Sequence, residues 1–342
     1  MGLQIGDIVP RKALEMPELQ GKIICIDAFN TLFQFLTSVR QPDGTPLMDK
    51  QGRVTSHLSG LFYRNINLLI EGIKLVYVFD GTPPEQKQRT HESRSERKEE
   101  AEYKYKEAKQ KEDIEAMAKY AKQFAYLSSE MIEESKELLN AMGIPTIDAP
   151  GEGEAQAAFL AQSNAFAVGS QDYDALLFGT PRLIQNLTLA RKRKTLSGYV
   201  YISPEIIELE RVLNHLQINH DQLICLGILI GTDYNQKGIY GIGPKKALDI
   251  VRKFKQPALI FKSVEDRLLA QEDQFDWQEI FELFKKPNVD RDVKIEFYEI
   301  NKEKIKEILI SRDFSEERID NGLKKLEEGK KKFQQSDLKK WF

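Results

Sequence analysis

Histidine and cysteine are scarce in this chain, with four and two residues among 342. Cys25 and Cys225 each sit inside an apolar run. Two thiols cannot build a zinc site, and these read as buried thiols of a reducing compartment rather than as a disulfide. None of His57, His91, His215 and His220 shares a motif with the acidic residues described below, which disfavours zinc chemistry and histidine-based catalysis. Long hydrophobic runs are missing too. No apolar stretch approaches the length of a membrane span, and no signal peptide precedes the first strand. Met1-Gly2 opens no myristoylation motif, because position 6 is Gly6 rather than Ser or Thr. An intracellular chain without a membrane partner is expected. A large net charge is also absent: the formal value is −3, with charged residues at 30% and hydrophobic ones at 41%. That balance does not announce a polyanionic partner. It leaves room for one, because the basic residues cluster while an acidic site would carry part of the negative charge. The length suffices for a large core and suggests roughly two domains.

What the chain does have is a pair of alternating carboxylate motifs. Glu152 and Glu154 alternate with Gly151 and Gly153 just after Ala149-Pro150, and Asp172 and Asp174 flank Tyr173 behind the apolar run 165–169. A short helical pattern over 155–162 separates the motifs and would fold the second pair back beside the first. Four carboxylates brought together repel unless something cationic sits between them. All-oxygen ligands in that number suit Mg²⁺ or Mn²⁺ better than zinc. Taken alone, Glu152 and Glu154 read equally well as acids favoured by the dipole at a helix N-terminus. The rest of the chain tips the balance.

Residues 23–26 form a short apolar run that ends on Asp27 and reads as a buried parallel strand. An aromatic-rich helix follows over 29–39, with Phe33 and Phe35, then a polar loop containing Pro42, Gly44, Pro46 and Gly52. After a helical stretch over 56–71, residues 75–79 give a second strand that ends on Asp80. In open α/β sheets the ligand site lies beyond the carboxyl ends of the strands, so acids placed there converge. From residue 85 to about 122 the chain is charged and helix-forming, with Arg89, Arg94, Arg97 and Lys98 among many Glu. Its hydrophobic periodicity is poor, and a solvated surface helix is the ordinary reading. Because it leaves an acid-tipped strand through Gly81-Thr82-Pro83-Pro84, an arch or lid over the site is the alternative. Lys87 and Arg94 lie about two helical turns apart and share a face.

Residues 128–142 make an amphipathic helix closed by Gly143, and 144–147 a brief strand. Arg191, Lys192, Arg193 and Lys194 form a basic loop in a hairpin with 199–202. Four adjacent cations are usually a solvated turn; beside an acidic metal site they could meet phosphate. Residues 223–230 are apolar and run into Gly231-Thr232-Asp233. The stretch around Gly241, Gly243, Pro244, Lys245 and Lys246 lacks the third glycine and the preceding strand of a dinucleotide fold. It fits a helix–hairpin–helix turn, whose glycines let backbone N–H groups approach a phosphate while Pro244 starts the second helix. Residues 257–326 read as mixed helix and loop, with Trp277 and several Phe in a satellite core and no chemistry. Gln335, Leu338, Trp341 and Phe342 stand on an otherwise charged terminus. They look like anchors for a pocket on another protein, on an octet that is unfolded when alone.

The acids so placed are Asp27, Asp80, Glu152, Glu154, Asp172, Asp174 and Asp233, each at the end of an apolar run or in a turn beside one. Together with Ile26-Asp27-Ala28, Val78-Phe79-Asp80-Gly81-Thr82-Pro83-Pro84, the 149–155 and 170–174 stretches, Gly231-Thr232-Asp233-Tyr234 and Gly241-Ile242-Gly243-Pro244-Lys245, the chain resembles the flap endonucleases over nearly its whole length. The resemblance implies that the seven acids bind two Mg²⁺ ions, with Mn²⁺ as the alternative, and that Lys87 and Arg94 reach the scissile phosphate. Phe33 falls where the family often has a tyrosine that stacks on a base; stacking survives the change, the hydroxyl does not. Arg97 and the basic loop belong to the DNA contacts. The hairpin at Gly241–Gly243 would grip the duplex backbone, with a K⁺ ion. Gln335, Leu338, Trp341 and Phe342 match the family's sliding-clamp-binding motif, and the chain stops there, which implies an archaeal type and a cytoplasmic or nucleoid location.

The expected fold is α/β: a central, mostly parallel sheet flanked by helices, with an inserted helical arch and a helix–hairpin–helix element. The expected organisation is an N-terminal nuclease region over 1–98 in which an arch of about 82–127 begins, an internal region over 116–258 holding the helix–hairpin–helix 220–257, a helical region over 259–330 and a clamp-binding tail over 331–342. The implied activity is Mg²⁺-dependent cutting of 5′ flaps where single strand meets duplex, with associated 5′–3′ exonuclease activity, by a monomer. Such cutting leaves 3′-hydroxyl and 5′-phosphate ends and serves lagging-strand replication and repair. A related 5′ exonuclease or junction resolvase is the nearest alternative; a non-cutting DNA-binding adaptor for the clamp is the alternative of another class.

Overall fold

The computed structural model describes residues 3–41, 44–82, 126–189, 192–195, 198–271 and 273–339, with isolated positions between 100 and 116. Its strands are β1 (Lys12–Ala13), β2 (Ile23–Asp27), β3 (Lys74–Phe79), β4 (Thr146–Asp148), β5 (Ala167–Gly169), β6 (Arg182–Gln185), β7 (Lys192–Thr195), β8 (Gly198–Tyr201) and β9 (Glu205–Glu208). Seven of them form one mixed sheet in the order β1-β9-β6-β5-β2-β3-β4, and β7 with β8 makes the expected basic hairpin. β2 pairs in parallel with β3 and β5, β3 with β4, and β5 with β6. β9 is antiparallel to both β6 and β1. This antiparallel margin is built from strands too short to carry a sequence pattern of their own.

The parallel strands are buried on both faces, as crossover connections require. Side chains alternate across the pleat. Ile24, Ile26, Leu75, Tyr77 and Phe79 join one core, while Cys25, Val76, Val78 and Val168 join the other. On the first face lie α1 (Ala28–Ser38), α2 (Ser56–Ile70) and α3 (Ser129–Ala141). α1 starts where Asp27 accepts the Asn30 N–H, and α3 where Ser128 accepts that of Met131, so both use side-chain caps. On the second face lie α4 (Gly153–Ser163), α5 (Asp174–Leu177), α6 (Leu209–Leu216), α7 (His220–Ile230) and α8 (Pro244–Phe254). α7 is apolar all round and is accordingly buried along its length, from Gln222 to Leu229.

The region after residue 257 is not a satellite core. α9 (Pro257–Lys262), α10 (Glu265–Ala270) and α11 (Trp277–Lys285) continue the chain. Phe261, Ile280 and Phe284 belong to the second-face core, where Phe284 packs 4.9 Å from Phe178 and 5.3 Å from Tyr234 by ring centroids. α12 (Lys302–Ile310) and α13 (Glu316–Lys339) bury Ile305, Leu309, Ile319 and Leu326 in the first-face core, beside α2 and α3. Aromatic and branched residues at helical spacing found large sheet faces to cover, and nothing in local sequence distinguishes that from a separate cluster. The tail also departs from expectation. The backbone of α13 stays helical through Lys339, so Gln335 and Leu338 lie on a helix rather than an unfolded octet; a Glu- and Lys-rich run continues a helix readily once its first turns are anchored. Trp341 and Phe342 lie outside the described residues.

Cys25 and Cys225 are free and buried, as expected. Burial pushes each thiol up to about 12. Among the described residues no helix is long and apolar enough to cross a membrane.

Candidate active site

β2 is central: the chain runs outward from it to β3 and β4, then returns to its other side for β5 and β6. The reversal falls between β2 and β5, the place where open sheets leave a crevice beyond their carboxyl ends. Asp27 closes β2, Asp80 follows β3, and Ser170 to Asp174 follow β5.

Hydrogen bonds tie these ends together. Ser170 Oγ lies 3.3 Å from Asp27 Oδ2 and 3.4 Å from Glu154 Oε1, so one hydroxyl stands between acids from two elements. Asn30, on the first turn of α1, donates from Nδ2 to Asp172 Oδ2 at 2.8 Å, and its own N–H donates to Asp27 Oδ1 at 3.0 Å. Its Oδ1 accepts the Gln171 N–H at 3.3 Å. Asp80 Oδ1 accepts the N–H of Gly153 at the start of α4, where the helix dipole favours negative charge. Asp174 Oδ1 accepts the Leu3 N–H at 3.2 Å, which draws the N-terminal segment into the site. The acidic turn is braced from behind: Gln156 exchanges hydrogen bonds with Asp290 backbone groups at 2.7 and 2.9 Å, pinning an extended strap that sequence reading left without a role.

The electrostatics follow from this crowding. Burial, then the charges of Asp80 and Asp172, pushes the Asp27 carboxyl up to about 7, against the Asn30 N–H that favours its ionised form. Tyr234 stands on the second-face side of the same site. Burial, then Glu152, Asp174 and Glu154, holds its hydroxyl far above the ordinary range, so it stays protonated and donates to Glu152. Glu154 thus belongs to two overlapping groups, one around Asp27 and one around Tyr234. Asp233 precedes Tyr234 in the turn after α7 and is half-exposed. Among the described residues no three His, Cys, Asp or Glu side chains close on a ready-made metal cage. The acids are held instead through Ser170, Asn30 and backbone N–H groups. All donors are oxygen, and burial together with the charges of Asp80 and Asp172 disfavours the ionised Asp27; a hard divalent cation fits both facts.

Other candidates fall in different places. Phe33 is half-buried one turn beyond Asn30 on the same face of α1. Gly241, Gly243, Lys245 and Lys246 are exposed at the turn between α7 and α8. Lys192, Arg193 and Lys194 form strand β7, while Arg191, Lys87, Arg94 and Arg97 lie outside the described residues. Asn30, Ser170 and Tyr234 were missed as functional residues. Each sits in or beside a quoted motif, but an amide, a hydroxyl and a phenol carry no charge signal of their own.

Known proteins resemble this chain in sequence and fold. The XPG N-terminal domain model matches residues 4–101 and the XPG I-region model residues 143–233. The chain is 50% identical over 353 residues to flap endonuclease 1 of Aeropyrum pernix, covering all of both chains. The structure of flap endonuclease-1 from Methanococcus jannaschii superposes with a TM-score of 0.74 at 42% identity, over 95% of this chain and 98% of that one. The catalytic core of Rad2, solved in complex with DNA substrate, shares the fold with a TM-score of 0.70 at 24% identity, over 95% of this chain and 100% of that one. Family models, whole-length identity and fold therefore point the same way, and the chain belongs to the flap endonuclease 1 family.

Proposed function

We propose that this nuclease hydrolyses the phosphodiester at the foot of a 5′ flap and, on the same site, removes nucleotides 5′ to 3′, leaving 3′-hydroxyl and 5′-phosphate ends. The observation that carries the reading is the pair of carboxylate groups overlapping at Glu154, with Asp27 pushed up to about 7 by burial and its acidic neighbours. Asp27, Asp80, Glu152, Glu154, Asp172, Asp174 and Asp233 would hold two Mg²⁺ ions. Bound there, the ions supply an activated water and stabilise the leaving oxygen.

The chain's own residues do the rest. Ser170 and Asn30 hold acids from different elements at fixed spacing. Tyr234 donates to Glu152 and orients it. Lys87 and Arg94, on the segment that follows β3 in sequence, meet the scissile phosphate, Arg97 contacts the DNA, and the segment selects a free 5′ strand. Phe33 offers its ring to a base. Arg191, Lys192, Arg193, Lys194, Lys245 and Lys246, with the backbone at Gly241 and Gly243, grip duplex phosphates and position the junction without reading its sequence. Gln335, Leu338, Trp341 and Phe342 dock a sliding clamp, placing the monomeric enzyme in lagging-strand replication and repair. The deciding experiment is cleavage of a labelled double-flap DNA against nicked, gapped and four-way DNA, with Mg²⁺, Mn²⁺ or EDTA. Preference for four-way or nicked DNA would replace this reading with the resolvase or exonuclease one, and binding without cutting in any metal with the adaptor.

A further inference from the structure

The turn joining α7 to α8 passes through two glycines in the left-handed region, Gly238 at φ 56° and Gly241 at φ 74°. Three of its carbonyl groups, those of Gly238, Tyr240 and Gly241, meet side chains. Gln271 Nε2 donates to Gly238 O at 3.3 Å, and its Oε1 accepts the Tyr240 N–H at 3.5 Å. Arg267 Nη1 donates to Tyr240 O at 3.5 Å, and Lys246 Nζ to Gly241 O at 3.3 Å. Arg267 and Gln271 stand four residues apart, on and just past α10, and so address the turn from one face. α10 buries none of its own residues. What it contributes is this contact with the turn.

The K⁺ ion that the resemblance implies here would need carbonyl oxygens in place of its hydration shell. A carbonyl has two lone pairs, so one N–H donor does not by itself exclude an ion. Charge does. A guanidinium and an ammonium already lie within hydrogen-bond reach of two successive carbonyls, Tyr240 O and Gly241 O, and a third cation seated on them would be repelled by both. We propose that Arg267, seconded by Lys246, takes the place of a monovalent cation at this turn, so that the chain supplies its own positive charge where the N-terminus of α8 faces DNA phosphate. The proposal rests on the reading that this turn grips duplex DNA. Arg267 is then a positioning residue, acting through the Tyr240 carbonyl it holds.

The test is duplex affinity by fluorescence anisotropy, at one ionic strength, in potassium, sodium or tetramethylammonium chloride, for the full chain and for Arg267→Gln, Arg267→Lys and Lys245→Ala, each checked for folding by its melting curve. The native chain is expected to bind equally in all three salts. Arg267→Gln should bind about tenfold more weakly in tetramethylammonium, regain most of that in potassium, and be rescued in every salt by Arg267→Lys. Native binding that tightens severalfold in potassium would overturn the proposal, and it needs no variant to fold. So would an Arg267→Gln chain with native affinity in tetramethylammonium. If Lys245→Ala weakens binding while Arg267→Gln does not, only the role of Arg267 falls; if Lys245→Ala has no effect, the turn does not hold DNA and the parent reading falls with it.

Discussion

Asp80 and Gly153 meet at the edge of the sheet: Oδ1 of the aspartate accepts the glycine N–H at 2.6 Å, joining the end of β3 to the first residue of α4. A Cβ at position 153 would stand 2.8 Å from that same oxygen and 3.2 Å from Val78 O. The glycine is there because an acid and a backbone both need its space.

Gly153→Ala is therefore a test of carboxylate placement that removes no acid. Alanine gains at most about 1 kcal/mol of helix propensity, against crowding of Asp80 and the Val78 carbonyl, so the melting temperature should fall only slightly. Cleavage should fall by about 10²-fold, since a small displacement of a catalytic group is enough for that. Native turnover in this variant would mean that Asp80 does not act from its present position.

Asp174 carries two roles that two substitutions separate. Asn at 174 still accepts the Leu3 N–H, whereas Ala leaves that buried donor without its partner, at about 1–3 kcal/mol. Both variants should lose cleavage and keep flap binding, because phosphate is gripped by Lys, Arg and backbone amides. Only Asp174→Ala should melt early. Near-native turnover of Asp174→Asn at saturating Mg²⁺ would remove it from the metal site.

Arg94 shares a helical face with Lys87 in the sequence pattern. If it stabilises charge at the phosphate in the transition state, Arg94→Ala lowers the single-turnover rate by at least about 10²-fold and changes affinity much less. An unchanged rate with weakened binding would make it a backbone contact only.

His57 makes stability depend on pH. It is fully buried on α2, with Nε2 3.3 Å from Glu134 Oε2. Arg312 also pairs with Glu134, and reaches Glu130 at 2.9 Å and Asp49 at 3.8 Å, so the nearby carboxylates are already answered. Burial, then Arg312, lowers the imidazole from 6.5 to about 4, with Glu130 opposing. Between those values the unfolded chain binds the proton and the folded one does not. Stability is whole above the upper value, drains as the pH falls, and levels off below the lower, by about 3 kcal/mol at most. Asp27, whose carboxyl folding raises to about 7, contributes the opposite slope over this range, so the reading is a difference. In urea unfolding, the stability of the native chain should rise with pH relative to that of His57→Gln by about 3 kcal/mol across it; parallel curves would place the titration elsewhere.

Truncation after Phe333 removes the last turns of α13 and the clamp motif. Burial of two aromatics and a leucine in a clamp pocket is worth several kcal/mol before ordering costs, which fits binding of about micromolar strength. Clamp-free cleavage should be unaltered and stimulation by the clamp lost. A truncated enzyme that still answers its clamp would move the docking surface elsewhere.

The sequence alone determined the parts whose signal is local. Apolar runs ending on Asp27 and Asp80, the two alternating acid pairs and the glycine–proline turn before Lys245 follow from residue type and spacing, and each lies at a strand or helix end as read. Tertiary structure decided what those ends meet. That Ser170 bridges Asp27 to Glu154, that Asn30 bridges Asp27 to Asp172, and that Tyr234 leans on Glu152 depends on β5 returning to the far side of β2. It decided, too, that Phe284 closes on Phe178 and Tyr234 instead of a cluster of its own, and that Arg267 reaches the turn before α8. Polar neutral side chains and apolar rings take their roles from neighbours far off in the chain, and periodicity along one segment holds no record of which segment will lie across from it.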